Sequence, residues 1–241
     1  PPPVKILAES KNIPVLQPET LKNFVFPDIP QPDFGIVAQY GKIIPQSILD
    51  WPKSGMINTH TSLLPLYRGA SPVQAALLHG DTQTGITIML MDAGMDTGPI
   101  LQQEIIAIAP DDRTPDVEKK LASIAIPNLL DSVRKLATHS ITPQTQDSNK
   151  ASTCGKLDRD MGKIDWHKSS VEIYNLFRAL YPWPGIWSIW EGKRLKLLDI
   201  KPEAKLIEPG KVLIENNSLF IGTNNGSVEI LNLQLEGKSA M

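Results

Sequence analysis

The sequence predicts an α/β protein in two parts: a mainly parallel sheet flanked by helices, then a small β-barrel. Three observations carry that prediction. Up to about residue 137, short β-branched or apolar runs alternate with helical stretches, the pattern of βαβ units. Between 138 and 158 the composition turns to Ser, Thr, Gln, Asn and Asp, which reads as an exposed linker. From 159 to 241 about five short strand-like runs are split by glycine- and asparagine-rich turns, which suits a barrel. The expected units are therefore 1–137, 138–158 and 159–241.

Taken in order, Val4 to Asn12 reads as a short helix with Ile6 and Leu7 as its apolar contacts. Pro14 to Leu16 reads as a brief strand and Pro18 to Phe26 as a helical segment, before the prolines of 27–32 force a loop. Phe34 to Tyr40 is near-continuously apolar, the mark of a strand buried on both faces. Pro45 to Leu49 offers a short helix, and Met56-Ile57 a strand leading to Asn58. Ser71-Pro72-Val73-Gln74 starts a helix with a serine cap, proline at the first helical position and a glutamine to close a capping box; Gly80 stops it. Strands Ile86 to Met91 and Ile100 to Ile108 follow. Thr114-Pro115 then opens a helix to about Leu136, which Pro127 is expected to kink or split. In the last unit, Ser170 to Leu180 is an amphipathic helix. The strands are Ile186 to Trp190, Arg194 to Ile200, Gly210 to Ile214, Ser218 to Gly222 and Ser227 to Leu233.

With 241 residues, 41% hydrophobic and 21% charged, the chain suits one large or two medium globular domains. The net charge of −2 gives no overall basic signature for nucleic acid. No apolar run approaches the length of a membrane span, so no membrane association is expected. Cys154 is the single cysteine and rules out an internal disulfide. The chain opens on three prolines without a methionine, as if cut, and any targeting segment would have gone with the missing part.

The polar groups that stand out lie between Ile57 and Leu101. Asn58 and His60 are two residues apart at a strand end, so their side chains emerge on one face. Asp96 lies in a glycine-flanked loop, Asp92 to Gly98, after the strand ending at Met91. Ligands of parallel sheets collect at the carboxyl ends of strands. An amide donor, an imidazole and a carboxylate converging there suit acyl transfer without a metal or a covalent intermediate. Asp92 reads as a turn residue, and His79 and His167 as structural or solvated. Trp183, Trp187 and Trp190 suit base stacking, with burial in the core the commoner fate for at least two of them.

The motifs Asn58-x-His60, Ser62-Leu63-Leu64-Pro65, Arg68-Gly69-Ala70 and Asp92-x-Gly94-x-Asp96-Thr97-Gly98 resemble those of the folate-dependent formyltransferase family. Gly69-Ala70-Ser71-Pro72, Ile164-Asp165-Trp166, Arg178-Ala179-Leu180 and Pro182-Trp183-Pro184-Gly185 make the chain similar to the members that act on methionyl-tRNA. The resemblance spans essentially the whole chain. It implies a Rossmann-like formyltransferase domain followed by an OB-like barrel that helps grip tRNA, with the family's first βαβ unit expected upstream of Pro1 and its last few residues beyond Met241.

The resemblance further implies formyl transfer from 10-formyltetrahydrofolate to the α-amino group of initiator methionyl-tRNA. Asn58, His60 and Asp96 would be catalytic. Ser62, Leu63, Leu64 and Pro65 would line the folate site, and the backbone of Lys42, Ile43 and Ile44 would face the pterin. Lys163, Arg178, Lys193 and Arg194 are the candidate tRNA contacts, with a solvated charged face as the competing reading. A monomeric, cytoplasmic enzyme is expected, or an organellar one if a targeting segment was removed. Two alternatives stay open: a sugar-nucleotide formyltransferase, and a non-catalytic folate- or tRNA-binding fragment.

Overall fold

The computed structural model describes residues 1–241. Its first unit contains helix α1 (Pro3–Ser10), strand β1 (Gly35–Ala38), helix α2 (Gln46–Leu49), strands β2 (Met56–His60) and β3 (Arg68–Gly69), and helix α3 (Pro72–His79). Strands β4 (Gln83–Leu90) and β5 (Ile100–Ala107) and the long helix α4 (Thr114–Ala137) complete it. Four strands form one sheet in the order β1-β2-β4-β5. β1 and β2 run parallel, whereas β2–β4 and β4–β5 are antiparallel. The α/β class is as expected, but the sheet of this chain is mixed rather than mainly parallel. For β4 and β5 the physical reason is the connection: they are joined by the short loop 91–99, and such a loop joins antiparallel neighbours, whereas parallel ones need a crossover.

The core explains the order. Ile57, Ile86, Ile88 and Leu101 of the sheet pack against Val73, Ala76 and Leu77 of α3 and Val117 and Leu121 of α4. α3 ends as the sequence predicts, with Gly80 in the left-handed conformation at φ 72°. Its serine cap does not form: Ser71 has no side-chain capping bond, and Pro72 alone marks the start. α4 is not split by Pro127. The buried Asn128 beside it gives one amide hydrogen to the Ile124 carbonyl at 2.8 Å and pairs with Gln102 and Glu104 of β5. Tertiary bonds thus keep the helix continuous across the residue that breaks its ladder.

The N-terminal fifth differs most from expectation. Pro14–Leu16 forms no strand and 18–26 no helix. Asn23 takes φ 58°, which ends any helical run, and the segment is ordered instead by Phe26 stacked on Trp51 at 3.6 Å between ring centroids. α1 forms, yet Ile6 and Leu7 are exposed. β1, an edge strand with β2 as its single neighbour, is buried on one face only: Val37 is 8% exposed, whereas Ile36 lies on the open face and is 49% exposed.

The segment after α4 is largely exposed, but it is tied down. Gln144 bridges to Ile100, Gln146 is buried, and β6 (Thr153–Cys154) pairs in parallel with β3. The second unit opens with α5 (Ser170–Leu180). It is followed by β7 (Ile186–Trp190), β8 (Lys193–Glu203), β9 (Val212–Glu215), β10 (Ser218–Thr223) and β11 (Gly226–Leu235). All neighbouring pairs in the sheet β7-β8-β11-β10-β9 are antiparallel. β7 and β9 do not pair, so five strands form a partly open unit of the OB-like kind.

α5 belongs to both cores. Ile173, Phe177 and Leu180 face the second sheet, while Ala179 packs into the first core. Around it, Thr114 Oγ1 donates to the Ala179 carbonyl at 2.7 Å and Tyr174 Oη to Asp111 at 2.9 Å. The Arg113 guanidinium pairs with Asp199 at 2.7 Å while lying over the Phe177 and Tyr181 rings at 4.7 and 4.6 Å. No helix is long and apolar enough to cross a membrane.

α5 starts with a full capping box, Ser169 Oγ accepting from Glu172 N and the Glu172 carboxylate accepting from Ser169 N. The backbone bond from Ser169, then its hydroxyl and Lys168, hold the Glu172 carboxyl down at about 2. A carboxyl whose folded pKa is depressed adds stability above its unfolded value and loses it as pH falls through the folded one. Glu172→Gln is therefore expected to lower Tm at pH 7 by a few degrees. The gap to the parent should narrow as pH falls from about 4.5 toward 2. A calorimetric series over that range checks it, and a gap independent of pH would rule it out.

Candidate active site

β2 continues to His60, so Asn58 and His60 lie within the strand rather than past it. Asn58 sits between Val37 of β1 and Met89 of β4; His60 faces Thr87. Alternation puts their side chains on the same side of the sheet. The Asn58 side-chain amide has no hydrogen-bond partner within the chain and is partly exposed, so its two donors are uncommitted.

His60 is 6% exposed. Its Nε2 lies 3.0 Å from the Tyr67 carbonyl, an oxygen that can only accept. Nε2 therefore carries the hydrogen, and in the neutral ring Nδ1 holds the free lone pair. Nδ1 is 3.7 Å from Asp96 Oδ2, within ion-pair range but longer than a hydrogen bond. The same Oδ2 accepts the Gly69 N–H at 2.9 Å. A proton acceptor and a carboxylate thus face each other beside a free amide donor.

Two features hold the carboxylate there. Asp96 adopts φ 54°, a conformation tolerated better by Asp than by most residues. Gln146 spans the loop, giving its amide hydrogens to the Asp96 and Gly98 carbonyls at 2.9 and 2.8 Å. Its carbonyl accepts from Arg68 Nε and Nη2 at 3.1 and 2.8 Å. Asp92 is a turn residue, accepting from Gly94 N and Thr97 Oγ1. Sequence reasoning missed Gln146, the Tyr67 carbonyl and the Gly69 amide. The first lay in a segment read as a linker, and backbone groups carry no sequence signal.

Ser62–Pro65 leads away from His60 and is pinned to β4. Thr87 Oγ1 donates to the Ser62 carbonyl at 2.7 Å and accepts from Leu64 N at 3.1 Å. Ser62 and Leu64 are buried, at 0% and 3% exposure. Lys42 and Ile43 line a cavity of about 490 Å³ together with Leu21, Asn23, Pro45 and Ser47; none of Ser62–Pro65 borders it. Ile44, half-buried, is also outside its lining.

Among the candidate tRNA contacts, Lys163 and Lys193 are exposed. Arg194 lies over the Trp187 ring at 4.1 Å and lines, with Lys196, a second cavity of about 500 Å³. Arg178 is a correction: it is 5% exposed, with Nη1 donating to the Asp112 carbonyl and Nη2 to Asn175. Burial pushes its pKa down, and its bonds to Asp112 and Asn175 turn the guanidinium into the protein rather than toward solvent. The tryptophans also differ from expectation, since Trp187 alone is buried while Trp183 and Trp190 are about half exposed. His79 is structural, its Nδ1 bonded to the Ala75 carbonyl, and His167 is exposed. Burial raises the Cys154 thiol pKa, which suits an inert side chain. No group of three or more His, Cys, Asp or Glu side chains is arranged to hold a metal.

Residues 16–133 match the formyl transferase family model, and 156–241 match that of the formyl transferase C-terminal domain. The chain belongs to the formyl transferase family. A methionyl-tRNA formyltransferase of Dehalococcoides mccartyi is 42% identical, over 99% of this chain and 78% of that protein. Two solved structures share the formyl transferase fold. One is the methionyl-tRNA formyltransferase from Clostridium thermocellum, with a TM-score of 0.57 and 23% identity over 76% of this chain and 75% of that one. The other is an N-formyltransferase from Helicobacter canadensis in complex with folinic acid and dTDP-3-aminofucose. It has a TM-score of 0.72 and 20% identity over 92% of this chain and 80% of that one.

Gly69, whose amide holds the Asp96 carboxylate, is closely packed. It has φ 122°, and a Cβ would lie 2.1 Å from the Cys154 carbonyl oxygen. Gly69→Ala is expected to cost roughly 1–3 kcal/mol of stability, whereas Gly41→Ala, in open space, costs little. Urea denaturation of the two variants checks this, and equal midpoints would contradict it.

Proposed function

We propose that this chain transfers a formyl group from 10-formyltetrahydrofolate to the α-amino group of initiator methionyl-tRNA, the step that prepares that tRNA for translation initiation. The observation that carries the reading is the His60 ring, held at Nε2 by a carbonyl and facing Asp96 at Nδ1, beside the uncommitted Asn58 amide. The 42% identity with the Dehalococcoides mccartyi methionyl-tRNA formyltransferase supports the choice of acceptor.

The folate would use the cavity of about 490 Å³ that Lys42 and Ile43 line, which is of ligand size. When bound, the folate supplies the formyl carbon and its N10 is the leaving nitrogen. Asn58 donates its amide hydrogens to the formyl oxygen as negative charge builds there, worth about 10²–10³ in rate. His60 takes the proton released by the attacking amine at Nδ1 and returns it to N10, worth roughly 10²–10⁴. Asp96 stabilises the imidazolium that exists between those two moments. The carbon–nitrogen bond to the amino acid forms as the bond to N10 breaks, and the proton balance closes on N10. Ser62–Pro65 follows His60 in the chain, outside that cavity, and would line the folate site where it nears His60. Lys163, Lys193 and Arg194 would contact tRNA phosphates, and the enzyme would act as a monomer in the cytoplasm or an organelle.

His60→Ala and Asp96→Asn are expected to lower kcat by about 10²-fold or more with KM for the folate within a few-fold. Steady-state kinetics on methionyl-tRNA reads this, and near-normal turnover in either variant ends the assignment. The purified protein should formylate methionyl-tRNA and leave dTDP-linked amino sugars untouched; the reverse result would make it a sugar formyltransferase. Lys193→Ala and Arg194→Ala should raise KM for the tRNA and flatten its salt dependence by about one counterion each. An unchanged salt slope would remove those side chains from the interface.

A further inference from the structure

We propose that Gln146 is a positioning residue for Asp96, so that a side chain from the connecting segment sets the rate of formyl transfer without touching substrate. The inference rests on the reading of Asp96 given above. Gln146 is 8% exposed in a stretch whose neighbours are mostly exposed, so its burial is specific to this one side chain. A glutamine amide offers two donor hydrogens and an oxygen with two lone pairs. All of that capacity is used: both hydrogens go to carbonyls of the Asp96 loop, and the oxygen takes two bonds from one guanidinium.

The partners show what the bracing achieves. Asp96 takes a backbone conformation with φ 54°, and its own carbonyl is one of the two oxygens that Gln146 holds. Gly98, the other end of the clamp, is packed so closely that a Cβ would lie 1.9 Å from the Leu90 carbonyl oxygen. The turn that presents the carboxylate is therefore fixed at both ends. On the far side, Arg68 is 8% exposed and has no carboxylate within ion-pair range; Gln146 is the acceptor of its side-chain bonds. Arg68 immediately precedes Gly69, whose N–H holds the Asp96 carboxylate. Gln146 thus joins the strand that grips the carboxylate to the loop that carries it. Release of that link lets Asp96 drift from His60 Nδ1, where a displacement near 1 Å costs up to about 100-fold in rate.

Gln146→Glu separates this role from a merely structural one. It keeps the acceptor for Arg68, as an ion pair, and removes the two donors that hold the loop. Gln146→Met removes both halves. In the purified protein, Gln146→Glu is expected to lower kcat by about 10- to 100-fold while KM for the folate and for methionyl-tRNA stays within about twofold and Tm within a few degrees. In the Asp96→Asn background the same substitution should change the residual kcat by less than about twofold, because the group it positions is gone. Unchanged kcat in Gln146→Glu overturns the proposal, and so does a loss that is additive with Asp96→Asn. If Gln146→Met fails to fold, Gln146→Glu carries the test alone. An Asp96→Asn variant slowed by about 10²-fold, with its residual kcat still measurable, would support the assignment of Asp96. Near-normal turnover there would instead sink the reading of the site itself, a result distinguishable from failure at Gln146.

Discussion

The site hangs on the hydrogen bond from the Gly69 amide to Asp96 Oδ2, 2.9 Å long and made across 27 residues of chain. Asp96 holds φ 54°, a backbone state that costs of order 1–3 kcal/mol when nothing enforces it. A bond to a charged acceptor contributes about 1.5–3 kcal/mol, enough by itself to offset that cost. The loop therefore keeps a strained residue because the strain is what turns the carboxylate back toward β3. Gly69 can serve because it carries no Cβ: at φ 122° it lies against the Cys154 carbonyl, where a side chain would collide. The pairing of β3 with β6, two residues long on each side, exists to set that amide in place.

The second unit is fixed to the first by a shared helix rather than by a flexible joint. α5 contributes Ile173, Phe177 and Leu180 to one core and Ala179 to the other. Arg113 locks the same junction, with its guanidinium on Asp199 and its faces against Phe177 and Tyr181. A half-buried arginine that is both stacked and ion-paired has little freedom left to lose, so the junction behaves as part of the fold. The second sheet is in this way held at a set distance from the His60–Asp96 pair on the first.

Much of this was legible in the sequence where the signal is local. Period-two spacing placed Asn58 and His60 on one face, and the glycine-flanked run marked the Asp96 loop before any fold was known. Gly80 as a helix stop and the five late strands were equally local. What escaped was set by distant partners. Gln146 bonds residues 78, 50 and 48 positions away, and nothing in a run of small polar residues reports that. Arg178 read as a phosphate contact or part of a solvated charged face, because basic and acidic residues are interleaved around it. Its burial follows only from α5 being covered on two sides. The sheet's mixed direction and the one-sided burial of β1 are likewise properties of neighbours, not of the strands' own residues.

Asp92 and Asp96 show why residue type alone does not tell which carboxylate faces His60. They lie four positions apart in one loop, yet Asp92 Oδ1 already accepts the Gly94 N–H and the Thr97 hydroxyl, and its side chain faces water. Asp96 gives Oδ2 to one backbone donor and still has that oxygen 3.7 Å from His60 Nδ1, in a setting where its side chain is 16% exposed. Charge in such a half-dry place acts more strongly than the same charge at the surface. Because Tyr67 fixes the hydrogen on Nε2, the imidazole has one nitrogen with which to take a proton, and that nitrogen points at Asp96 and not at Asp92. The division of labour between the two carboxylates is thus a consequence of which donors surround each, and the tautomer of His60 makes it one-directional.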